Sequence, residues 1–209
     1  MDQKTCWQCD QPTRHLFCGG CGTLQPPPGA YFAIFDMDER LSLDVEDLQR
    51  RFYVLSRKLH PDLYTRKREV EREYSLEATA VLNDAYRTLR DPVARAEYVL
   101  KQNGFEIGEQ RSKDVPPELL EEVFELNMVL EEIRGGDESV RPQVDAAHRR
   151  FVAMRGEVDQ RLEELFRKYD SERNRETLTE IRGVLNRRRY IENLVNQAEK
   201  ELTAGVSDG

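Results

Sequence analysis

From Leu48 to Leu202 the apolar residues return every three or four positions, with no sustained every-second pattern. That spacing constrains the fold more than any other feature, because it puts one face of each successive segment on a helical core and leaves no strand-forming alternation. The chain is predicted to be all-α. Hydrophobic residues at 38% against 34% charged, with only 8% aromatic, suit elongated helices with broad solvated faces rather than a sandwich or barrel. With 209 residues the chain exceeds one typical domain of about 100 to 150 residues, so more than one module is expected. No apolar run approaches the roughly 20 residues of a membrane span, and MDQKTCWQCD has neither a signal-peptide core nor an Arg-rich presequence. The expectation is a soluble protein of a reducing compartment with no membrane partner. The net charge of −8 is concentrated late, with 24 acidic and 17 basic residues in 106–209. Polyanion binding gains from a surplus of Lys and Arg, so no nucleic-acid partner is expected.

Three modules follow from the punctuation: 1–25, 26–105 and 106–209. Pro26-Pro27-Pro28-Gly29 reads as a stiff spacer after the first. In the second, a short apolar segment, Tyr31 to Phe35, precedes a helix N-capped by Asp44, with Leu48, Phe52, Leu55 and Leu59 on its buried face and Arg50, Arg51, Arg57 and Lys58 on the other. This helix stops at His60-Pro61, because the residue before proline is pushed out of α geometry. A polar loop leads to a second helix with stripe Tyr74, Ala78, Leu82, Ala85 and Leu89, forming an antiparallel hairpin. Asp91-Pro92 starts a third helix that ends near Asn103-Gly104. After a linker over 106–115, three further amphipathic helices, from Pro117 to Gly135, Val140 to Tyr169 and Glu172 to Leu202, predict an antiparallel three-helix bundle.

All four cysteines lie in the first module. Cys6-x-x-Cys9 and Cys18-x-x-Cys21 present two thiolate pairs, and the gap lets one pair fold back opposite the other around a tetrahedral Zn(II). Four thiolates close the site, so the metal is expected to be structural. Two disulfides, a redox pair or an iron–sulfur cluster would use the same spacing. Gly19, Gly20 and Gly22 are read as making room around the sulfurs, Trp7, Leu16 and Phe17 as apolar cover, and His15 as a surface residue.

His60-Pro61-Asp62 sits between a helix with a basic face and one carrying Asn83-Asp84-Ala85-Tyr86-Arg87-Thr88-Leu89-Arg90-Asp91-Pro92. Pro61 stiffens the turn and presents His60 and Asp62 at low entropic cost. Arg50, Arg51, Arg57 and Lys58 supply steering toward an acidic surface. Hydroxyls nearby (Ser56, Tyr64, Thr65) have no triad partner, so no catalytic residue and no enzyme are expected. The sequence here resembles the J-domain family, which implies docking on a DnaK-type chaperone and stimulation of its ATPase. Leu63 stands where many J-domains have Lys.

Arg95-Ala96-Glu97-Tyr98-Val99-Leu100 runs into an acidic bundle in place of the usual basic ending. From Tyr31 to Leu202 the chain resembles HscB-type co-chaperones of iron–sulfur cluster assembly, and the paired cysteines resemble the zinc extension of some members. The resemblance implies an L-shaped molecule whose bundle binds an IscU-type scaffold and delivers it to a DnaK/HscA-type chaperone. Leu120, Phe124 and Met128 form a second apolar line on the first bundle helix, bordered by Glu121, Glu125 and Glu132. Apolar seams with charged rims are the anatomy of protein-binding patches, although burial on a wide helical face would use the same residues. The scaffold-binding positions that the resemblance assigns are Leu120, Phe124, Glu125, Glu132 and, on the last helix, Tyr190. Glu121 replaces an apolar residue and Met128 an acidic one of some members. Two rivals remain: a general J-protein for unfolded clients, and a zinc-containing nucleic-acid-binding factor. Localisation is expected in the bacterial cytoplasm rather than the mitochondrion.

Overall fold

The computed structural model describes residues 4–106 and 117–204. Apart from Glu106, the expected linker over 106–115 lies outside them. The chain divides into two compact units, Met1–Asn103 and Gly104–Gly209. Among the described residues no helix is long and apolar enough to cross a membrane.

The first unit begins with two-residue strands, β1 (Lys4–Thr5) and β2 (Pro12–Thr13), paired antiparallel with Lys4 opposite Thr13. A single bridge joins Phe17 to Leu24. Periodicity does not anticipate these strands, because they arise from chain reversal at each Cys-x-x-Cys turn. Helix α1 (Tyr31–Ile34) is one turn long, and burial of Phe32, Ile34 and Phe35 holds it. Helix α2 (Val45–Leu59) starts as expected, with Asp44 Oδ1 accepting from the Glu46 and Asp47 N–H groups at 2.9 and 3.1 Å. A 3₁₀ turn, Pro61–Tyr64, occupies the predicted polar loop and leads to α3 (Glu69–Arg90). Along α2 only Leu48 and Leu59 are fully buried, whereas Phe52 and Leu55 are half-buried. The main partner of α2 is α3, so a narrow line suffices, and Phe52 stacks on Tyr86 at 4.2 Å.

Helix α4 (Pro92–Gln102) begins at the Asp91 cap, whose carboxylate accepts from Ala94 N–H at 2.7 Å. It ends at Asn103-Gly104, where Gly104 takes φ 76°. Arg95 is buried, 4% exposed, a position helical patterning assigns to an apolar residue. Its guanidinium donates to the Leu41 carbonyl at 2.9 Å and to the Leu89 carbonyl, tying the segment before α2 and the end of α3 to α4. Tyr98 stacks on Tyr31 at 4.6 Å and accepts from its backbone N–H.

The second unit contains α5 (Leu120–Arg134), preceded by a 3₁₀ turn at Pro117–Leu119, then α6 (Arg141–Glu172) and α7 (Arg175–Ala204). Their shared core includes Leu119, Leu126, Leu130, Phe151, Ile191 and Leu194. The chain reverses at Arg173, in left-handed geometry with φ 52°, and Asn174 Oδ1 accepts from Thr177 N–H to start α7. Arg155–Glu192 and Lys168–Glu180 pairs, at 3.1 and 2.9 Å, fix the register of α6 against α7.

Arg95→Met is expected to lower the stability of the first unit by about 3 kcal/mol or more, since each bond from a charged donor contributes roughly 1.5 to 3 kcal/mol. Trp7, the only tryptophan, lies in that unit, so urea unfolding followed by its fluorescence reads the change. An unaltered midpoint would contradict the role given to Arg95.

Candidate functional site

The four sulfurs of Cys6, Cys9, Cys18 and Cys21 all lie within 4.8 Å of one another. Two separations are 3.6 Å (Cys6 to Cys21) and 3.7 Å (Cys9 to Cys18). The edge of a tetrahedron around an ion with metal–sulfur bonds of about 2.3 Å is roughly 3.8 Å, so the donor set fits a tetrathiolate ion. No disulfide joins any two of these four cysteines. The two turns have the same backbone pattern: Asp10 N–H donates to Cys6 O at 2.9 Å, and Gly22 N–H to Cys18 O at 2.8 Å. Asp10 and Gly22, each following the second cysteine of its turn, take φ 57° and 71°. The glycine expectation needs correction: a Cβ at Gly19 or Gly22 would meet nothing within 4 Å and one at Gly20 would meet the Gln11 side chain rather than a sulfur, while Gly22 suits its positive φ.

The Cys21 thiol is lowered to about 6 by the hydroxyl and backbone N–H of Thr23. At Cys9 the Gln11 backbone N–H favours the thiolate, yet burial and the three neighbouring sulfurs push the thiol up to about 12. Four thiolates cannot share this volume unless a positive charge sits among them. Gln25 Nε2 and Gln8 N–H also point at Cys6 Sγ, at 3.3 and 3.4 Å. His15 is exposed and pairs with Asp36 at 3.1 Å, consistent with its reading as a surface residue.

The His60-Pro61-Asp62 turn projects from the α2–α3 hairpin. His60 Nδ1 accepts from Asp62 N–H at 3.4 Å and lies 3.5 Å from the Asp62 carboxylate, and both side chains are mostly exposed. Behind the turn, Ser75 and Thr79 of α3 donate to the Leu59 carbonyl at 2.7 and 3.2 Å, and the buried Tyr64 donates to Lys58 O at 3.0 Å. Burial and the nearby Glu71 raise the Tyr64 hydroxyl above its ordinary range. Ser75 and Thr79 escaped the sequence reading, which weighed Tyr64 only as a catalytic hydroxyl. The available signal was a serine on the buried α3 face, three residues before Ala78, where an unpaired hydroxyl would be costly. Arg50, Arg57 and Lys58 are exposed on α2. Arg51 is partly committed elsewhere, donating to Asp47 at 2.7 Å and to Phe35 O at 3.0 Å, and it holds the Asp47 carboxyl below the usual range.

Leu119 before α5 and Leu126 and Leu130 on it are buried, while Leu120, Phe124 and Met128 are 53%, 66% and 48% exposed. The second apolar line therefore faces solvent. Glu125 pairs with Arg150 of α6 at 3.0 Å, a residue that sequence alone did not single out. A groove of about 500 Å³ runs beside the line, with Glu125, Met128, Glu132, Gln143 and Ala146 among its walls. Glu121 and Glu132 are exposed. Tyr190 is half-buried against the bundle core, which raises its hydroxyl.

A helical hairpin closed by an exposed His-Pro-Asp turn and followed by a helical bundle is the architecture of a J-domain co-chaperone. Residues 115–199 match the family described as HSCB C-terminal oligomerisation domain. The iron–sulfur cluster co-chaperone protein HscB of Mus musculus is 31% identical over 188 residues, covering 87% of this chain and 78% of that protein. Its Homo sapiens counterpart is 30% identical over the same length, with the same coverage. The crystal structure of human co-chaperone protein HscB superimposes with a TM-score of 0.67 and 26% identity, over 95% of this chain and 98% of that one. The chain belongs to the HscB family of iron–sulfur cluster co-chaperones.

Metal analysis of reduced protein is expected to give one equivalent per chain, and Cys9→Ser should lose it. Chelation should shift Trp7 emission, because the indole is held by the knuckle through Leu24 O at 2.8 Å. Far-UV helical signal should change little, since the helices have their own cores. A folded knuckle containing no metal would refute this assignment.

Proposed function

We propose that the chain binds an IscU-type iron–sulfur scaffold through the exposed α5 line and delivers it to a DnaK/HscA-type chaperone, whose ATPase the His60-Pro61-Asp62 turn stimulates. The observation that carries this reading is the exposure of Leu120, Phe124 and Met128 on a helix whose other apolar line is already buried. Three large apolar side chains in one line, rimmed by Glu121, Glu125 and Glu132, gain nothing in the free chain and gain by desolvation against a partner. Glu125 at the rim is paired with Arg150 of α6, and the half-buried Tyr190 is proposed as a further scaffold contact. On the first unit, the exposed His60 and Asp62 are presented by a turn braced from behind, with Arg50, Arg57 and Lys58 steering the chaperone. The ion in the knuckle is Zn(II), structural, because four thiolates leave no open position for substrate. We also propose the bacterial cytoplasm as its location, a reducing compartment in which paired Cys-x-x-Cys turns serve as metal ligands.

Phe124→Ala should leave the melting temperature nearly unchanged while weakening scaffold binding by about 2 kcal/mol, roughly 30-fold in Kd. Isothermal titration of the scaffold beside thermal melts tests this, and a marked loss of stability with normal binding by the folded fraction would assign Phe124 to packing instead. His60→Gln should remove ATPase stimulation with a stability change of no more than about 0.5 kcal/mol. Full stimulation by that folded variant would end the J-domain reading.

A further inference from the structure

We propose that the metal-holding knuckle braces the far end of the chaperone-facing turn, with Trp7 and Arg68 as its positioning residues. This rests on the reading of His60-Pro61-Asp62 as the stimulating turn. The turn has two ends, and they are secured differently. At the α2 end, Ser75, Thr79 and Tyr64 satisfy the last carbonyls of the helix. At the other end α3 starts after Arg68, which is extended (φ −61°, ψ 155°) and makes no side-chain cap hydrogen bond. Helix starts are normally defined by a side-chain acceptor such as Ser, Asp or Asn, and a guanidinium accepts nothing. Local sequence thus leaves the start of α3 weakly specified.

Trp7 occupies that place. The Arg68 guanidinium lies 5.3 Å over the indole, and the indole meets Tyr74 of α3 edge-on at 6.3 Å and 71°. The indole is itself fixed, since its Nε1 donates to the carbonyl of the buried Leu24, and Trp7 lies inside the Cys6-x-x-Cys9 turn. A second attachment, His15 to Asp36 at 3.1 Å, ties the knuckle to the end of α1. A module this small has little core of its own, so the gathered sulfurs are what give Trp7 one orientation. When they are not gathered, Arg68 and the first turn of α3 gain conformations, and docking of the turn must then remove that added entropy. The consequence falls on apparent affinity for the chaperone rather than on maximal stimulation.

Full-length wild type, Trp7→Ala, Trp7→Phe, Arg68→Ala, Cys9→Ser and His60→Gln are titrated against a purified DnaK/HscA-type chaperone from the same organism. Trp7→Ala, Arg68→Ala and Cys9→Ser should each raise the half-saturating concentration about two- to fivefold, the scale of one exposed cation–π contact, with the maximum unchanged. Trp7→Phe should restore most of the affinity, and Cys9→Ser combined with Arg68→Ala should be no worse than Cys9→Ser alone, as for two changes in one pathway. Amide hydrogen exchange at residues 65–72 should quicken in the three weakened variants. Additive effects in the double variant, or unchanged exchange there in both Cys9→Ser and Arg68→Ala, overturn the brace. If His60→Gln stimulates like wild type, the reading of the turn fails, and exchange still decides the brace. If His60→Gln is silent while the other variants match wild type, the brace alone fails.

Discussion

The carbonyl of Leu59 accepts from two hydroxyls of the neighbouring helix, and the arrangement of the first unit depends on this interaction. A helix ending before proline leaves its last carbonyls without N–H partners, and Pro61 has no N–H to offer. Ser75 and Thr79, four residues apart on one α3 face, fix both the rotation of α3 about its axis and its height along α2. Once these are set, Ala78, Leu82, Ala85 and Leu89 fall into the core, and His60 and Asp62 are turned outward. The exposed turn is thus a consequence of a buried polar contact directly behind it, and the same contact keeps the turn from relaxing into solvent.

The cysteine module obeys a different constraint, because it is too small to exclude water by apolar burial alone. Two turns of identical hydrogen-bond pattern bring four sulfurs within 4.8 Å, a grouping that a bound cation would stabilise by neutralising the thiolates. Leu16 and Leu24 are buried, but the module also uses the hairpin for cover, through Trp7 on Tyr74. It belongs to the same compact unit as the hairpin. Bounded at residue 25 by its proline run, it is a distinct stretch of chain that completes itself on another element.

In the bundle the long helices α6 and α7 are matched along much of their length by apolar contacts and by cross-helix ion pairs. Helix α5 is half as long and spends only one of its two apolar lines on that core. The unspent line, with its acidic rim, is left to solvent, and the proposed scaffold binding rests on that exposure. Arg150 joins this surface from α6 by pairing with Glu125. Neither residue's spacing in the chain announces the partnership, since they lie on different helices.

Helical period, caps and breakers determined most of the architecture. Asp44 and Asp91 cap, Pro61 and Gly104 stop, and the helices begin and end within a few residues of those signals, because capping and φ restriction act over one turn of chain. The cysteine spacing likewise determined which four sulfurs gather, as each pair is held within one tight turn. The exposure of Phe124 was not legible, since two apolar lines on one helix look alike until neighbouring helices choose which to cover. Arg95 was equally opaque: its burial follows from carbonyls at Leu41 and Leu89 brought together across 48 residues of chain. The stacking of Arg68 on Trp7 joins residues 61 positions apart. Local backbone preferences decide where helices are, and they are carried by short sequence. Which faces meet, which polar groups find partners and which apolar residues stay uncovered depend on contacts distant in sequence, and only the tertiary structure decided them.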